Sequence, residues 1–239
     1  MGGIVIQGLI AGFGTFLGAI LVTCCGYLRP RTLALLLGFA SGVMASVIIF
    51  DLLPSSLNHG SFTFTLAGFL AGIGLMFILD LLLNIRYPAN LQGKGYLKMG
   101  YLIAAGIALH DLPEGLAIAA GFAVAEKLGP LLVFAIGIHN IPEGMVCAAP
   151  LRAGGYSATK TLLINILISL VTPLGVFIGL LLVQASSFFI SALLSFAAGA
   201  MAYIVLRELA PESRRHSRFF ANLGMLCGLF LILGLHFIV

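Results

Sequence analysis

Two short motifs in this sequence combine residue types that bind metal ions. HDLPEG covers residues 110–115 and HNIPEG covers residues 139–144. In each motif the histidine and the glutamate are four positions apart, which places both side chains on one face of a helix. An imidazole and a carboxylate on one face are ligands that zinc and related divalent ions accept. The two pairs are His110 with Glu114 and His139 with Glu143.

Each motif also contains a proline and a second polar residue. Pro113 and Pro142 lack an N–H and clash with the carbonyl four residues earlier, so we expect a kink at each motif. The kink turns Asp111 and Asn140 toward the face that carries the histidine and the glutamate. Inside a membrane, the carbonyls freed by the kink need a polar or water-lined cavity. The motifs therefore predict a polar site between two helices.

The composition predicts a membrane protein. Hydrophobic residues make up 61% of the 239 residues and charged residues only 8%, which is far too little charge for a soluble surface. About 20 apolar residues are needed to cross a bilayer. We predict an all-α polytopic membrane protein, one transmembrane domain over residues 1–239. Its eight spans cover residues 4–24, 32–53, 62–84, 99–123, 130–151, 160–183, 187–209 and 219–239.

Basic residues predict the orientation. Of the 12 lysines and arginines, all but Lys127 lie on one side of the predicted spans. By the positive-inside rule that side faces the cytoplasm, so both termini lie outside the cytoplasm. We expect the protein to lie in the membrane that bounds the cytoplasm, which in a bacterium is the inner membrane. Because the basic residues follow the membrane topology, we do not expect a nucleic-acid partner.

An internal repeat relates the two ends of the chain. Residues 37–56 align without gaps on residues 194–213, and Asp51 aligns with Glu208. The two copies cross the membrane in opposite directions. Spans one to three and six to eight therefore form an inverted repeat around the kinked spans four and five. Inverted repeats place a binding site between their halves near the bilayer midplane and favour alternating access.

The predicted site has an excess of negative charge. Asp111, Glu114 and Glu143 lie near the midplane, and neither motif contains a lysine or arginine. Each ionised side chain at that depth costs roughly 2.5 to 3.5 kcal/mol on insertion scales. The compensation is either protons or a bound cation. Zinc fits the ligand types best, and iron, manganese, cobalt and cadmium also fit. Two antiparallel helices with these ligands have room for two ions bridged by Glu114 and Glu143.

With these motifs, the whole chain resembles the ZIP (Zrt/Irt-like) family, particularly its GufA-like prokaryotic branch. The resemblance implies transport of divalent metal ions, usually zinc, toward the cytoplasm, with zinc as the transported substrate. It also implies a binuclear site, a homodimer, and an elevator-like shift of one helix bundle against another. The ligands it implies are His110, Asp111, Glu114, His139, Asn140 and Glu143, with Met44 near the more exposed ion.

The sequence departs from the family pattern at two places. Thr172 stands in span six where the GufA-like pattern has a glutamate, so we expect the ion nearest to it to be bound weakly or to be missing. The histidine-rich loop that often follows span three is absent, since residues 86–98 contain no histidine. We therefore do not expect metal sensing through that loop.

The motifs also allow two functions other than metal transport. A carrier that uses the carboxylates as proton relays is the main alternative to metal transport. An intramembrane metalloprotease is disfavoured, because no second histidine stands on the same turn as required by His-Glu-x-x-His, so we expect no enzyme.

Several further polar residues have two interpretations each. They are Asp51, as an entry guide or a solvated group; Glu208 and Glu212 with His216, as exit guides or ion pairs; Asp80, as a ligand or a partner of Arg86 or another polar group; and Cys147, as a relay ligand or a packing residue.

Overall fold

The described part of the protein is almost entirely helical. The computed structural model describes residues 2–24, 29–86, 94–124, 128–181 and 187–236. In lipid every backbone N–H and C=O must find a partner within the protein, and a helix satisfies these groups within one segment. The apolar spans therefore fold as helices, and the predicted class of all-α polytopic membrane protein is confirmed.

Eight helices follow the order of the predicted spans over the described residues. Seven are long and apolar enough to cross a membrane, and the apolar stretch of the eighth, Arg218–Gly234, is shorter. Helix α4 begins five residues earlier than predicted, and α2 and α7 continue six and seven residues beyond the predicted ends. The helices are α1 (Gly2–Cys24), α2 (Pro30–His59), α3 (Phe62–Arg86), α4 (Lys94–Val124), α5 (Leu128–Ala153), α6 (Ala158–Ser169 and Val171–Leu181), α7 (Ser187–Ile204, Val205–Leu209 and Ala210–His216) and α8 (Arg218–His236).

Helices α2 and α7 share an unusual local geometry. Each contains one wide π-helical turn, Val47–Leu52 in α2 and Val205–Leu209 in α7. Each of these turns ends two positions before a proline, Pro54 or Pro211. Since proline donates no N–H and crowds the preceding turn, a locally wider turn accommodates it without ending the helix. The predicted sequence repeat therefore also appears in the backbone.

The helices pack as two groups of four. Helices α1, α4, α5 and α6 form the first bundle, in which α1 packs on α5 and α6, and α4 packs on the same two helices. Helices α2, α3, α7 and α8 form the second bundle, in which α2 packs on α8 and α3 packs on α7. The main contacts between the bundles join α4 to α7 and α3, and α5 to α2. Both predicted metal motifs, on α4 and α5, therefore belong to the first bundle.

Two close helix–helix contacts are related to each other by the same internal repeat as the sequence. A Cβ atom on Gly42 in α2 would clash with the carbonyl oxygen of Met225 in α8. A Cβ atom on Gly199 in α7 would clash in the same way with the carbonyl oxygen of Phe69 in α3. Gly199 follows Gly42 by 157 residues, and Met225 follows Phe69 by 156 residues. Glycine lets the backbones of membrane helices approach this closely. The α2–α8 and α7–α3 contacts are therefore equivalent parts of the inverted repeat.

Candidate metal centre

The first motif lies inside α4 and is buried. The helix runs without interruption through Pro113. The side chains of His110 and Asp111 are at most 1% exposed, and that of Glu114 is 7% exposed. Because a charged group at this depth has no water to solvate it, each acid needs a partner or a proton.

The second motif meets the first across the α4–α5 contact. His110 Nε2 lies 2.5 Å from Glu114 Oε1 on the same helix and 3.7 Å from Glu143 Oε1 on α5. Glu143 is 1% exposed. The imidazole of His110 therefore lies between carboxylates from two helices. These are the two ligand types that a borderline divalent ion accepts in proteins.

Asp111 also faces the cluster that His110, Glu114 and Glu143 form. The groups described around its carboxylate are His110, Glu114, Glu143 and the hydroxyl of Thr172. Within the described part of the chain, neither carboxylate oxygen has a partner at hydrogen-bond geometry. A fully buried carboxylate without a hydrogen bond costs several kcal/mol as an anion. Asp111 is therefore a buried acid that needs a proton or a further positive group.

Asn140 has the same place in α5 as Asp111 has in α4, but it is turned toward α1. Its Nδ2 donates a hydrogen bond of 3.3 Å to the carbonyl oxygen of Ala11. The side chain is fully buried, and its Oδ1 has no hydrogen-bond partner among the described residues. The amide is thus anchored by its nitrogen, which leaves its oxygen as the group available to a cation.

The structure gives less information on two of the predicted ligands, His139 and Met44. The side chain of His139 lies outside the described residues. Met44 is fully buried in α2, one turn before Val47, which lines the cavity described below. Among the described side chains, no three His, Cys, Asp or Glu residues are already arranged around a single metal position. The full ligand set therefore stays a prediction.

A cavity reaches this cluster from one end of the bundle interface. Its volume is about 290 Å³, and residues of both bundles line it. His110 and Glu114 lie on its α4 side, while Asp51 and Ser55 lie on its α2 side. Asp51 thus lines the same cavity as His110 and Glu114, and its role as an entry guide stays a prediction. The lining residues on α5 include Leu132 and Ile136, so the path is largely apolar.

At the other end of the interface, a second group of buried acids surrounds a lysine. Lys98 Nζ in α4 lies 2.7 Å from Asp80 Oδ1 in α3 and 3.6 Å from Glu208 Oε1 in α7. The hydroxyl of Tyr203 donates to Asp80 Oδ2 at 2.7 Å, and Lys98 also donates to Asn84 at 3.1 Å. We call Asp80, Lys98, Tyr203 and Glu208 the lysine cluster. Through it, the first bundle is tied to the second.

The structure separates the interpretations of the remaining acids. Asp80 pairs with Lys98 and Tyr203. Arg86, the partner that the sequence suggested for Asp80, is exposed at the end of α3. Glu212 pairs with His216 at 3.1 Å and more loosely with Arg215 at 3.8 Å. These acids therefore have structural partners in the described chain, in agreement with the ion-pair interpretation.

Cys147 and the exposed histidine have simple surroundings. Cys147 is fully buried within the core, and its Sγ lies 4.0 Å from the carbonyl oxygen of Gly100. That environment fits the packing interpretation. His59 is exposed at the end of α2, where its Nδ1 is 2.8 Å from the carbonyl oxygen of Ser55.

Sequence reasoning missed two residues near these sites. Lys98 was counted only as a charge near a membrane surface, because the predicted span began at residue 99. It lies instead inside α4, twelve residues before His110. Thr15 was also missed, although it is fully buried in α1. The signal was available, since the 157-residue offset of the repeat places Thr15, Leu17 and Gly18 on Thr172, Leu174 and Gly175.

The described helices and the buried acid–histidine cluster define a multi-pass α-helical membrane protein with ligand types for a divalent cation at its centre. Residues 89–236 match the model of the family described as ZIP Zinc transporter. The chain belongs to the ZIP family.

Similar proteins extend the likeness over most of the chain. The zinc transporter ZupT of Chlorobium limicola is 34% identical over 230 residues, covering 87% of this chain and 86% of the relative. The ZupT of Corynebacterium aurimucosum is 34% identical over 224 residues, with 86% and 84% covered. The zinc transporter GufA of Myxococcus xanthus is 32% identical over 228 residues, with 90% of each chain covered. The predicted family resemblance is confirmed.

Proposed function

We propose that this protein transports divalent metal ions, zinc foremost, through the cluster between α4 and α5. The observation that carries the proposal is the convergence of Asp111, Glu114 and Glu143 on the imidazole of His110 in the membrane interior. Three ionised carboxylates at this depth cost on the order of 9 kcal/mol, and a divalent cation offsets that cost where one imidazolium does not. The proposed ligands are His110, Asp111, Glu114, His139, Asn140 and Glu143, with Met44 toward the α2 side.

The ligand types support zinc as the first substrate. Zinc accepts imidazole nitrogen and carboxylate oxygen in a four-coordinate shell. Iron, manganese, cobalt and cadmium use the same ligands, so the site also admits them. Zinc transport by the relatives supports the same choice. In this proposal the ions are cargo, and no residue has a catalytic role.

We further propose that transport is by alternating access between the two bundles. The cavity beside Asp51 leads to the cluster, and the lysine cluster holds the bundles together at the opposite end. This arrangement fits a state that loads ions from the Asp51 side. By the distribution of basic residues, the lysine cluster lies on the cytoplasmic side of the membrane and both termini lie outside the cytoplasm. The proposed membrane is the one that bounds the cytoplasm, and the proposed net direction of transport is into the cytoplasm.

The outer surface of the helices fits lipid. Large apolar side chains are exposed along α1 and α3, among them Ile6, Phe77 and Leu82. Without water around them, such side chains carry no penalty for exposure in a bilayer. The same surface gives room for the predicted homodimer, whose mass can be measured in nanodiscs.

Zinc uptake by cells that make the protein tests the proposal. We expect uptake above that of cells without it, and a fall to background in His110→Ala and in Glu143→Gln. Glu143→Gln keeps the size of the side chain and removes only its charge. Glu212→Gln is the matched control, because Glu212 pairs with His216 outside the cluster.

Two outcomes oppose the proposal in different ways. Undiminished uptake in both cluster variants would reject the assigned site. Proton flux that depends on an organic substrate, with no zinc affinity in the purified protein, would favour the proton-coupled carrier instead.

A further inference from the structure

A cavity lined by arginines lies where α7 meets α8. Its volume is about 470 Å³, and it is lined by Arg214, Arg215, Arg218 and Asn222. All four residues are exposed. Sites for small molecules have volumes of roughly 300–1,000 Å³, so this cavity has room for a small charged group. It offers that group three guanidinium groups and one amide.

The positive charge of the cavity has little compensation from acids. No Asp or Glu occurs after Glu212 in the sequence. Glu212 pairs with His216 at 3.1 Å, and its distance to Arg215 is 3.8 Å. Among the described residues, Arg214 and Arg218 form no ion pair. Guanidinium groups donate paired hydrogen bonds to phosphate and carboxylate oxygens, so these arginines favour such an anion.

Two further features add positive potential near this cavity. The guanidinium of Arg31 in α2 lies 6.0 Å from the ring centre of Phe220, two residues after Arg218. Helix α8 begins at Arg218, and the free amides in the first turn of a helix favour a negative group. The surface that favours an anion therefore includes the beginning of α2, the end of α7 and the beginning of α8.

An apolar stripe on α8 begins beside the arginines. Its residues Phe219, Leu223, Leu226 and Phe230 are all exposed. Their spacing of four, three and four places them on one face of the helix. Phe219 directly follows Arg218, so the charged cavity lies at the beginning of this stripe. A molecule that has both a phosphate group and acyl chains contacts both features, whereas free phosphate contacts only the arginines.

We propose that this cavity binds the headgroup of an anionic phospholipid whose acyl chains lie along the apolar stripe of α8. Basic cavities at the cytoplasmic ends of membrane helices suit such headgroups, and the distribution of basic residues places this cavity on that side. The site is built from helices of the second bundle, whereas the metal motifs lie on α4 and α5 of the first. The lipid site is therefore distinct from the proposed metal site.

Native mass spectrometry of the purified protein in detergent tests this inference. Dioleoylphosphatidylglycerol and dioleoylphosphatidylcholine are added separately, because they share acyl chains and differ in the charge of the headgroup. We expect one phosphatidylglycerol per chain to bind at least tenfold more tightly than phosphatidylcholine. Each arginine near an anionic group contributes about a fivefold factor, so Arg214→Gln/Arg218→Gln is expected to lose this preference.

Two variants serve as controls. Arg86→Gln/Lys160→Gln also removes two exposed positive charges on the same side of the membrane, but outside the cavity, and it is expected to keep the preference. Arg214→Lys/Arg218→Lys keeps the charge without the planar guanidinium and is expected to keep part of it. Zinc affinity is expected to be unchanged in all three variants, which shows that they are folded.

Other occupants give different results. A preference for phosphatidylglycerol that survives Arg214→Gln/Arg218→Gln would overturn the assigned cavity, and so would equal binding of the two lipids by the unaltered protein. Complete displacement of phosphatidylglycerol by inorganic phosphate would overturn the lipid and indicate a site for a free anion. A lipid-free dimer that is lost in Arg214→Gln/Arg218→Gln would place a second copy of the chain on this surface instead.

Discussion

Helix α4 contributes side chains to two groups of acids at helix contacts, and the two groups differ in the origin of their positive charge. Near the beginning of α4, the Lys98 side chain pairs with Asp80 and Glu208. Twelve residues later, His110 lies among Asp111 and two glutamates, and it is the histidine of the two motifs whose side chain the structure describes. A buried acid group with its own lysine is satisfied within the protein. An acid group whose described neighbours include an imidazole but no lysine or arginine needs a proton or an ion from outside. This is the physical difference between a structural tie and a proposed ion site.

The two groups also sit at different places in the architecture. The acids at His110 lie on α4 and α5, both in the first bundle. The lysine cluster joins α4 to α3 and α7 of the second bundle. The cavity of about 290 Å³ opens between the bundles on the side away from Lys98. In the proposed cycle, ion binding belongs to one bundle, and the ion pairs decide how that bundle sits against the other.

The largest expected effect comes from giving the His110 cluster its own ammonium. In His110→Lys the new amine reaches Glu114 and Glu143, so zinc affinity falls on the order of 100-fold or more, equivalent to at least about 2.7 kcal/mol. His110→Gln removes the imidazole without adding charge and is expected to retain more of the affinity. Calorimetry on the purified variants measures both.

The same substitution at His59 is the matched control for this experiment. His59 is exposed at the end of α2, so His59→Lys is expected to leave zinc affinity unchanged. Equal affinity in His110→Lys and His110→Gln would mean that charge is not what distinguishes the two acid groups.

A smaller effect is expected from removing the lysine of the second group. Lys98→Met leaves Asp80 and Glu208 without their ammonium, and we expect the free energy of unfolding to fall by about 3 kcal/mol. Unfolding in micelles of rising sodium dodecyl sulfate content measures the change. Zinc affinity is expected to change little, since Lys98 lies about three helical turns from His110.

Arg86→Met is the control, because Arg86 is exposed at the end of α3. If Lys98→Met is as stable as the unaltered protein, then the lysine cluster does not hold the bundles together. If it loses zinc binding as well, the two groups are not separate.

The smallest effect is expected from Tyr203→Phe. This change removes one hydrogen bond of 2.7 Å to Asp80 and keeps Lys98 in place, so a loss of about 1 kcal/mol is expected in the same unfolding measurement. Combined with Lys98→Met, the loss is expected to be non-additive, since both residues act on Asp80. Simple addition of the two losses would show that they act independently.

The sequence by itself determined the local features of this protein. Apolar length predicted the spans, and the four-residue spacing predicted that His110 and Glu114 share a face, because helical periodicity is a local property. The 157-residue repeat predicted that α2 and α7 correspond, and their π-helical turns before Pro54 and Pro211 agree with this.

Only the tertiary structure decided which helices meet and which polar groups they share. The pairing of Lys98 with Asp80 and Glu208 joins three helices that are distant in sequence. The bond from Asn140 to Ala11 and the burial of Thr15 depend on how closely α1 approaches α5. Such contacts are set by side-chain shape and by glycine positions across several helices at once, and no periodicity within one segment encodes them.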